Sequence, residues 1–136
     1  RGLGDVYKRQ DHSNPVTGLS FSPNSQFLVS GSSDGEIRVW STSNWTESTL
    51  LSEETGPIKA LAFSNNGNWL AAASGETGTI KIWSTDGWIE FPGLAGDNKA
   101  ITALKYSPDD SHLIAALADG NVSIWNLEGA WTLIEN

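Results

Sequence analysis

The sequence contains no cysteine and no methionine. Without cysteine, the chain has neither a disulfide framework nor a thiolate metal site. This favours the cytoplasm or another reducing compartment, although the sequence alone leaves the localisation unknown. The chain also lacks any apolar run near the roughly 18 residues that a membrane-spanning helix needs. No segment shows the 3.6-residue period of an amphipathic helix. These absences argue against disulfide-rich, membrane-spanning and helical folds.

Positive charge is scarce in this chain. Its 136 residues include eight Lys and Arg against 16 Asp and Glu, which gives a formal net charge of −8. A surface this acidic repels a phosphate backbone and has no basic stripe that would release counterions on binding. We therefore expect partners that are other proteins or peptides, with basic ones as one option, and we expect neither nucleic acid nor a membrane.

The first ten residues, RGLGDVYKRQ, differ from everything that follows. They are basic, show no periodic pattern and lack the apolar core of a signal peptide. One back-translation of all ten codons resembles the transposase adaptor used to prepare sequencing libraries. We therefore interpret residues 1–10 as a disordered artefact, with a short natural arm as the alternative, and expect the biological sequence to begin at Asp11. Residues 11–136 then carry a net charge of −10.

Seven Trp and 14 Gly indicate many short strands joined by tight turns, and these strands recur in three copies. The copies contain VTGLSFSPNSQF, IKALAFSNNGNW and ITALKYSPDDSH, and they predict repeat units of about 14–52, 56–94 and 99–136. Three sets of aromatic residues recur every 42 or 43 residues: Phe21, Phe63 and Tyr106; Trp40, Trp83 and Trp125; and Trp45, Trp88 and Trp131.

Each copy predicts four strands of one antiparallel sheet. In the first copy, the residues before Phe21 alternate with period two, Ser-Pro-Asn-Ser forms a turn, and residues 27–30 form the second strand. An Asp-Gly pair then forms a tight hairpin, EIRVW forms a third strand that ends on Trp40, and the fourth strand carries Trp45. Because such a sheet has apolar residues on both faces, it must stack on its neighbours.

The period of about 42 residues, the Ser-Pro turn, the Asp-Gly hairpin and the Trp of the third strand together resemble the WD-repeat β-propeller family. The family's Trp-Asp pair stands here as Trp40-Ser41, Trp83-Ser84 and Trp125-Asn126, so its second position departs in every copy. The resemblance implies an all-β fold of three consecutive four-stranded antiparallel blades in an open arc. It also implies that this arc is a fragment of a propeller and that the remaining blades of the same chain pack against it. Because three blades leave two apolar faces uncovered, we expect residues 11–136 alone to aggregate or dimerise through them.

Three residues of the first copy, His12, Ser32 and Asp34, have the chemistry of a hydrolytic triad. No Gly-x-Ser-x-Gly motif accompanies them. In WD repeats, residues at these positions form a hydrogen-bonded tetrad with the Trp of the third strand. The resemblance therefore implies a structural role for His12, Ser32, Asp34 and Trp40, and the other two copies, with Trp83 and Trp125, lack the full set.

Metal and cofactor sites have no support in the sequence. The two histidines are scattered and the carboxylates are not clustered at ligand spacing. The glycines lie in hairpins and lack the pattern of a phosphate-binding loop. We therefore expect no metal, no cofactor and no catalytic residues.

In the family that the chain resembles, the segments carrying the His and the hairpins share one rim of the disc, where propellers commonly bind partners. The corresponding rim of this chain is rich in acidic residues and would attract a basic peptide or a basic patch on a protein. The alternative is that these acids only keep the repeat surface solvated. The residues of the predicted rim are Asn14, Ser33, Glu53, Glu54, Glu76, Thr77, Asp97, Asn98, Lys99 and Asn121.

The favoured function is a non-catalytic protein–protein interaction scaffold that uses this rim as its docking surface, and the chain is not expected to be an enzyme. The alternative is a regulatory or ligand-sensing propeller domain of a larger enzyme, such as a kinase or an ATPase. A propeller enzyme with its active residues in other blades is a third option, because a fold alone does not settle function.

Overall fold

The computed structural model describes residues 12–52, 56–94, 98–127 and 132–135, and these residues form strands, turns and loops without helices. Residues 1–10, interpreted above as an artefact, lie outside the described residues. The strands are β1 (Val16–Phe21), β2 (Phe27–Ser32), β3 (Ile37–Ser41), β4 (Glu47–Ser52), β5 (Ile58–Phe63), β6 (Trp69–Ser74), β7 (Ile80–Ser84), β8 (Glu90–Leu94), β9 (Ile101–Tyr106), β10 (His112–Leu117), β11 (Val122–Asn126) and β12 (Thr132–Glu135).

The described strands form three sheets, each made of four strands that follow one another in the chain. Neighbouring strands within a sheet are antiparallel. We call these sheets blade 1 (β1–β4), blade 2 (β5–β8) and blade 3 (β9–β12). The predicted all-β fold of three four-stranded antiparallel blades is confirmed. No helix in the described part of the chain has the length and apolarity needed to cross a membrane.

The turn between the first two strands is built in the same way in every blade. In blade 1, the Ser22 hydroxyl donates to Oδ1 of Asn24 at 2.6 Å and accepts the backbone N–H of Phe27 at 3.0 Å. Ser64 and Ser107 make the same two bonds in blades 2 and 3. A side chain that satisfies backbone groups locally in this way fixes the turn and therefore the register of the hairpin.

The fourth strands begin after their tryptophans, so the prediction that these strands carry Trp45 and Trp88 is wrong. β4 begins at Glu47 and β8 at Glu90. Trp45 and Trp88 have φ angles of 56° and 54°, which lie in the left-handed region that strands do not use. The backbone N–H of Trp45 donates to the carbonyl of Ser41 at 2.9 Å, which closes the loop before the strand starts. Trp131 lies outside the described residues.

Each blade has two faces, because opposite residues of paired strands point to the same side. The register pairs Leu28 with Trp40 and Val29 with Val39, so these two pairs lie on opposite faces of blade 1. We name the two faces the Trp face and the aliphatic face. The Trp faces contain Val16, Leu19, Phe21, Leu28 and Trp40 in blade 1; Ile58, Leu61, Phe63, Leu70 and Trp83 in blade 2; and Ile101, Leu104, Tyr106, Leu113 and Trp125 in blade 3. The aliphatic faces contain Val29, Gly31, Ile37 and Val39; Ala71, Ala73, Ile80 and Ile82; and Ile114, Ala116, Val122 and Ile124.

The core lies between the blades. The aliphatic face of blade 1 packs on the Trp face of blade 2, and the aliphatic face of blade 2 packs on the Trp face of blade 3. The first strands β1, β5 and β9 lie side by side along the inner edge of this stack. The stack of described blades is open, so the Trp face of blade 1 and the aliphatic face of blade 3 are uncovered. Leu19 on the first face is 65% exposed, and Val122 on the second is 43% exposed.

Candidate functional site

The strand directions gather one set of loops at one end of all three blades. Within each blade, the residue after β2 donates its N–H to the segment that precedes the first strand: Ser33 to Pro15 at 3.0 Å, Gly75 to Pro57 at 3.0 Å, and Ala118 to Ala100 at 2.9 Å. We call this end the hairpin rim, which comprises residues 12–15, 33–36, 56–57, 75–79, 98–100 and 118–121. The opposite end, the turn rim, comprises residues 22–26, 42–46, 64–68, 85–89 and 107–111.

The hairpin rim contains every described member of the predicted docking set. Its exposed members are Asn14, Glu76, Thr77, Asn98 and Asn121, and its half-buried members are Ser33 and Lys99. Glu53, Glu54 and Asp97 belong to the prediction but lie outside the described residues.

Four carboxylates and one lysine give the described part of the hairpin rim its charge. The carboxylates are those of Asp34, Glu36, Glu76 and Asp119. The Lys99 ammonium lies 2.9 Å from Oδ2 of Asp119. Its hydrogen bond, together with one from the backbone N–H of Asn121, lowers the pKa of the Asp119 carboxyl. Glu36 is likewise paired, with the guanidinium of Arg38 on β3. The four carboxylates outnumber these two cations, so the rim carries a net negative charge at neutral pH.

Contact between the blades also fixes the position of this rim. Gly78 has a φ angle of +72°, and a Cβ atom added there would lie 2.5 Å from the Lys99 carbonyl oxygen. Only glycine suits both the left-handed backbone and this close approach. The blade 2 hairpin is therefore held directly against the segment that leads into blade 3.

The predicted tetrad of blade 1 is divided into two hydrogen-bonded groups. In the first group, Nε1 of Trp40 donates to the Ser30 hydroxyl at 2.9 Å, and Nε2 of His12 lies 2.6 Å from the same oxygen. In the second group, the Ser32 hydroxyl donates to the Asp34 carboxylate, whose other oxygen accepts from Nδ2 of Asn14 at 2.7 Å. The resemblance implied that Ser32 links His12 and Trp40, but in the structure Ser30 bonds to both.

Strand register explains this correction. Trp40 lies opposite Leu28, and Ser30 is the next residue of β2 on the same face of the sheet. Ser32 is two residues further along β2, and its hydroxyl donates to Asp34. The corresponding residues in blades 2 and 3 are Ala72 and Ala115, which have no hydroxyl group to make this link.

The protonation of these groups follows from their surroundings. Burial lowers the pKa of His12, and the Arg38 guanidinium lowers it further. Hydrogen bonds from the Ser32 hydroxyl and from the backbone N–H of Glu36 hold the pKa of Asp34 at about 2. At neutral pH the site therefore contains a neutral imidazole and a carboxylate.

This arrangement does not form a nucleophile–base–acid relay. The Ser32 hydroxyl donates straight to the carboxylate of Asp34, whereas His12 is bonded to a different serine, Ser30. A serine activated by histidine needs the imidazole between the hydroxyl and the acid. Within the described residues, no group of three or more His, Asp or Glu side chains could hold a metal ion.

Comparison with protein families finds one match that covers most of the chain. The family model described as WD domain, G-beta repeat matches residues 5–41, 45–84 and 92–126. Each match contains the first three strands of one blade, and the second and third matches also include all or part of the fourth strand of the preceding blade.

Comparison with individual proteins finds similarity over shorter stretches. Minichromosome loss protein 1 of Schizosaccharomyces pombe is 39% identical over 67 residues, which are 49% of this chain and 8% of that protein. Pre-mRNA-processing factor 19 of the same yeast is 34% identical over 61 residues, 45% of this chain and 12% of that protein. Periodic tryptophan protein 2 of Arabidopsis thaliana is 32% identical over 69 residues, 51% of this chain and 8% of that protein. The chain thus spans only a small part of these relatives.

Solved propeller structures match the fold. The structure of U3-55K superposes with a TM-score of 0.84 at 20% identity, over 93% of this chain and 40% of that one. The β-propeller domain of Cps50 (Swd1) from Myceliophteria thermophila superposes with a TM-score of 0.79 at 17% identity, over 94% of this chain and 40% of that one. Similarity at this level of sequence identity establishes the β-propeller fold only. The function has to be argued from the residues of the site.

Proposed function

Because the chain belongs to the WD40 repeat family, whose model matches all three blades, we propose that it is a non-catalytic protein–protein interaction scaffold. In this proposal, the hairpin rim is the docking surface and a basic peptide or basic protein segment is the ligand. Propellers of this family generally bind other proteins, which supports the broader part of the proposal.

The charge of the hairpin rim is the observation that carries the choice of ligand. Its described part has four carboxylates, of which Asp119 is paired with Lys99 and Glu36 with Arg38 of β3, so the carboxylates outnumber these two cations. Glu76 is exposed at the tip of the blade 2 hairpin, between the Asp-Gly hairpins of blades 1 and 3. A negative surface of this kind steers a positively charged partner and sets the orientation in which it docks.

The absence of catalysis is proposed from the hydrogen bonds of blade 1. His12 is hydrogen-bonded to Ser30, and Ser32 to Asp34, in two separate groups whose proposed roles are to order the start of β1 and the hairpin that follows β2. The relatives named above take their names from cellular processes or from their repeats, not from a reaction. These relatives are much longer than this chain. The alternative function, a regulatory domain of a larger enzyme, is therefore still open, and such a domain would use the same rim.

The proposal is tested by fluorescence polarisation with three labelled probes: an Arg- and Lys-rich peptide, an acidic peptide of equal length, and single-stranded RNA. The basic peptide is expected to bind, and its affinity is expected to fall as salt is raised. RNA is included because one relative is named a pre-mRNA-processing factor. Preferential binding of RNA or of the acidic peptide would overturn the proposed partner class.

Charge reversal at Glu76 provides the site-specific test. Glu76→Lys is expected to weaken binding of the basic peptide about fivefold, which corresponds to roughly 1 kcal/mol. The matched control is Asp86→Lys, an exposed acid on the turn rim, which changes the net charge equally and is expected to leave the affinity within about twofold. Equal losses in both variants would mean that the peptide responds to net charge alone and not to the hairpin rim.

A further inference from the structure

The turn between β5 and β6 contains an asparagine that is followed directly by glycine, Asn66-Gly67, and the sequence has this pair at no other place. Both residues lie on the turn rim of the middle blade, and Asn66 is exposed to water. Asparagine is one of the chemically labile residues of proteins, because its side-chain amide can be attacked by the backbone nitrogen of the next residue. The pair is therefore a candidate for covalent modification.

Two donors hold the carbonyl oxygen of the Asn66 side chain. The Ser64 hydroxyl donates to Oδ1 at 2.7 Å, and the backbone N–H of Asn68 donates to the same atom at 2.9 Å. When a nucleophile adds to Cγ of Asn66, negative charge develops on this oxygen, and hydrogen-bond donors already aimed at it stabilise that charge. The folded turn therefore polarises the amide toward attack.

Gly67 provides a backbone nitrogen that no side chain shields. Its φ angle is +78°, and outside the adjoining residues the nearest atom to an added Cβ would be Cδ of Pro23, at 3.9 Å. The space around Gly67 is therefore open, and the absence of a Cβ atom lets another group approach the backbone closely.

The same turn in blade 1 differs at this position. Asn24 corresponds to Asn66, and its Oδ1 accepts the Ser22 hydroxyl at 2.6 Å and the backbone N–H of Gln26 at 3.0 Å. The residue that follows it is Ser25, which also has a positive φ angle, 63°. The two turns thus share their donors and their backbone conformation, and they differ in whether a side chain stands beside the attacking nitrogen.

Blade 3 shows that an aspartate fits this turn. Asp109 stands at the position of Asn66, and its Oδ1 accepts the Ser107 hydroxyl at 2.8 Å and the backbone N–H of Ser111 at 3.0 Å. These bonds match those that Oδ1 of Asn66 accepts in blade 2. Hydrogen bonds from Ser111 and Ser107 hold the pKa of Asp109 at about 2, so we expect an aspartate at position 66 to be ionised at neutral pH.

We propose that Asn66 is a site of spontaneous deamidation, with water as the co-reactant. The backbone nitrogen of Gly67 bonds to Cγ of Asn66 and gives its proton to water. The Cγ–Nδ2 bond breaks, and the side-chain nitrogen takes up a proton from water and leaves as ammonia. A water molecule then opens the cyclic imide. Cleavage of the bond from Cγ to the imide nitrogen gives aspartate, and cleavage of the bond from the backbone carbonyl carbon to the same nitrogen gives isoaspartate.

The two products differ in their effect on the contact between blades 2 and 3. Asp110 of blade 3 accepts the backbone N–H groups of Asn65 and Asn66 at 2.7 and 2.8 Å. Aspartate leaves the backbone of the turn unchanged. Isoaspartate lengthens the backbone by a methylene group after residue 66, which displaces the Gly67 N–H from the Ser64 carbonyl that it now contacts at 3.0 Å. Isoaspartate is therefore expected to loosen the turn and this contact, and aspartate is not.

Peptide mapping by mass spectrometry, after incubation of the whole chain at physiological pH and temperature, tests the proposal. Asn66 is expected to convert to a mixture of aspartate and isoaspartate, about tenfold faster than Asn24 converts, because only Gly67 leaves the attacking nitrogen unshielded. Equal rates at the two residues would overturn the proposal. Formation of aspartate without isoaspartate would also overturn it, because direct hydrolysis of the side chain bypasses the imide.

Exchange of glycine and serine between the two turns provides matched variants. Gly67→Ser is expected to lower the rate at Asn66 to that of Asn24, and the open space around Gly67 admits the new side chain. Ser25→Gly is expected to raise the rate at Asn24 to that of Asn66 in the unaltered chain. An unchanged rate in either variant would contradict the role given to the residue that follows the asparagine.

Asn66→Asp separates the effects of the two products. This variant is expected to keep the urea midpoint of fresh wild-type chain, because blade 3 already accommodates aspartate in this turn. Aged wild-type chain, which contains isoaspartate, is expected to unfold at a lower urea concentration. An equal loss in the fresh variant and in the aged chain would show that charge, and not the altered backbone, weakens the turn, and it would refute the effect assigned to isoaspartate.

Discussion

Replacement of Asp34 by alanine should lower the free energy of unfolding by about 1–3 kcal/mol. The carboxylate accepts hydrogen bonds from the Ser32 hydroxyl, the backbone N–H of Glu36 and the side chain of Asn14. Asn14 is exposed and would be hydrated after the substitution, so its loss should have little effect. Ser32 is fully buried, at 0% exposure, and an unpaired buried donor costs about 1–3 kcal/mol.

The corresponding aspartate of blade 3 provides a matched control. Asp119 occupies the same position in its hairpin, but Leu117 stands where blade 1 has Ser32. Its partners, Lys99 and Asn121, are accessible to water. Asp119→Ala should therefore cause a much smaller loss of stability than Asp34→Ala.

Urea unfolding followed by tryptophan fluorescence measures both effects, with a shift in midpoint at constant slope reporting stability. The double variant Ser32→Ala with Asp34→Ala should be less destabilised than the sum of the two single variants, because it leaves neither partner unpaired. Equal losses for Asp34→Ala and Asp119→Ala, or strict additivity in the double variant, would refute the assignment of the effect to the buried Ser32 donor.

Two further predictions concern the turn rim and the histidine. Ser25→Gly should raise stability by about 0.5 kcal/mol in urea unfolding, because Ser25 has a φ of 63° that glycine adopts without strain. Asp110→Gly, at the same turn position with a φ of 61°, should give no gain, because its carboxylate accepts the backbone N–H groups of Asn65 and Asn66 at 2.7 and 2.8 Å; a gain there would contradict this reasoning. The folded-state pKa of His12 is lowered from its usual 6.5, first by burial and then by Arg38, so the folded chain binds the proton more weakly than the unfolded chain. Its contribution to stability is therefore present above pH 6.5 and is lost as the pH falls from there to the folded-state pKa; His12→Gln should reduce this part of the pH dependence of the urea midpoint, and an unchanged dependence would show that other groups cause it.

The strands were predictable because short-range patterns determine them. The alternation before Phe21, the Ser-Pro turn and the Asp-Gly hairpin each depend on neighbouring residues, so they locate β1, β2 and β3 without tertiary information. The three copies also help one another: where the structural assignment of a residue in one blade is ambiguous, the equivalent residues of the other two blades resolve it. The stacking of blades also followed from sequence, since apolar residues on both faces of a sheet require neighbours.

Details that depend on register or on unusual backbone conformations were not predictable in this way. Ser30 and Ser32 lie on the same face of β2, and only the pairing of Leu28 with Trp40 shows which serine the indole meets. Trp45 adopts a left-handed conformation at φ 56°, which is rare for a large side chain, and the sequence therefore gave no signal that the strand begins after it.

The location of the hairpin rim could be predicted from the sequence more fully than its distribution of charge. Alternating strand directions place the hairpins of all blades at one end, so the position of Glu76 and Asn121 follows from topology. Lys99 and Asp119 belong to segments about 20 residues apart in sequence, and they form an ion pair. Only the folded structure shows that the lysine neutralises this aspartate and not another carboxylate of the rim.

Hydrogen–deuterium exchange of the chain saturated with the basic peptide tests most directly whether the hairpin rim is a docking surface. Protection is expected at residues 33–36, 75–79 and 118–121, and residues 22–26 and 85–89 of the turn rim are expected to exchange as in the free chain. Protection confined to the turn rim or to the Trp face of blade 1, or no change at saturating peptide, would contradict docking at the hairpin rim.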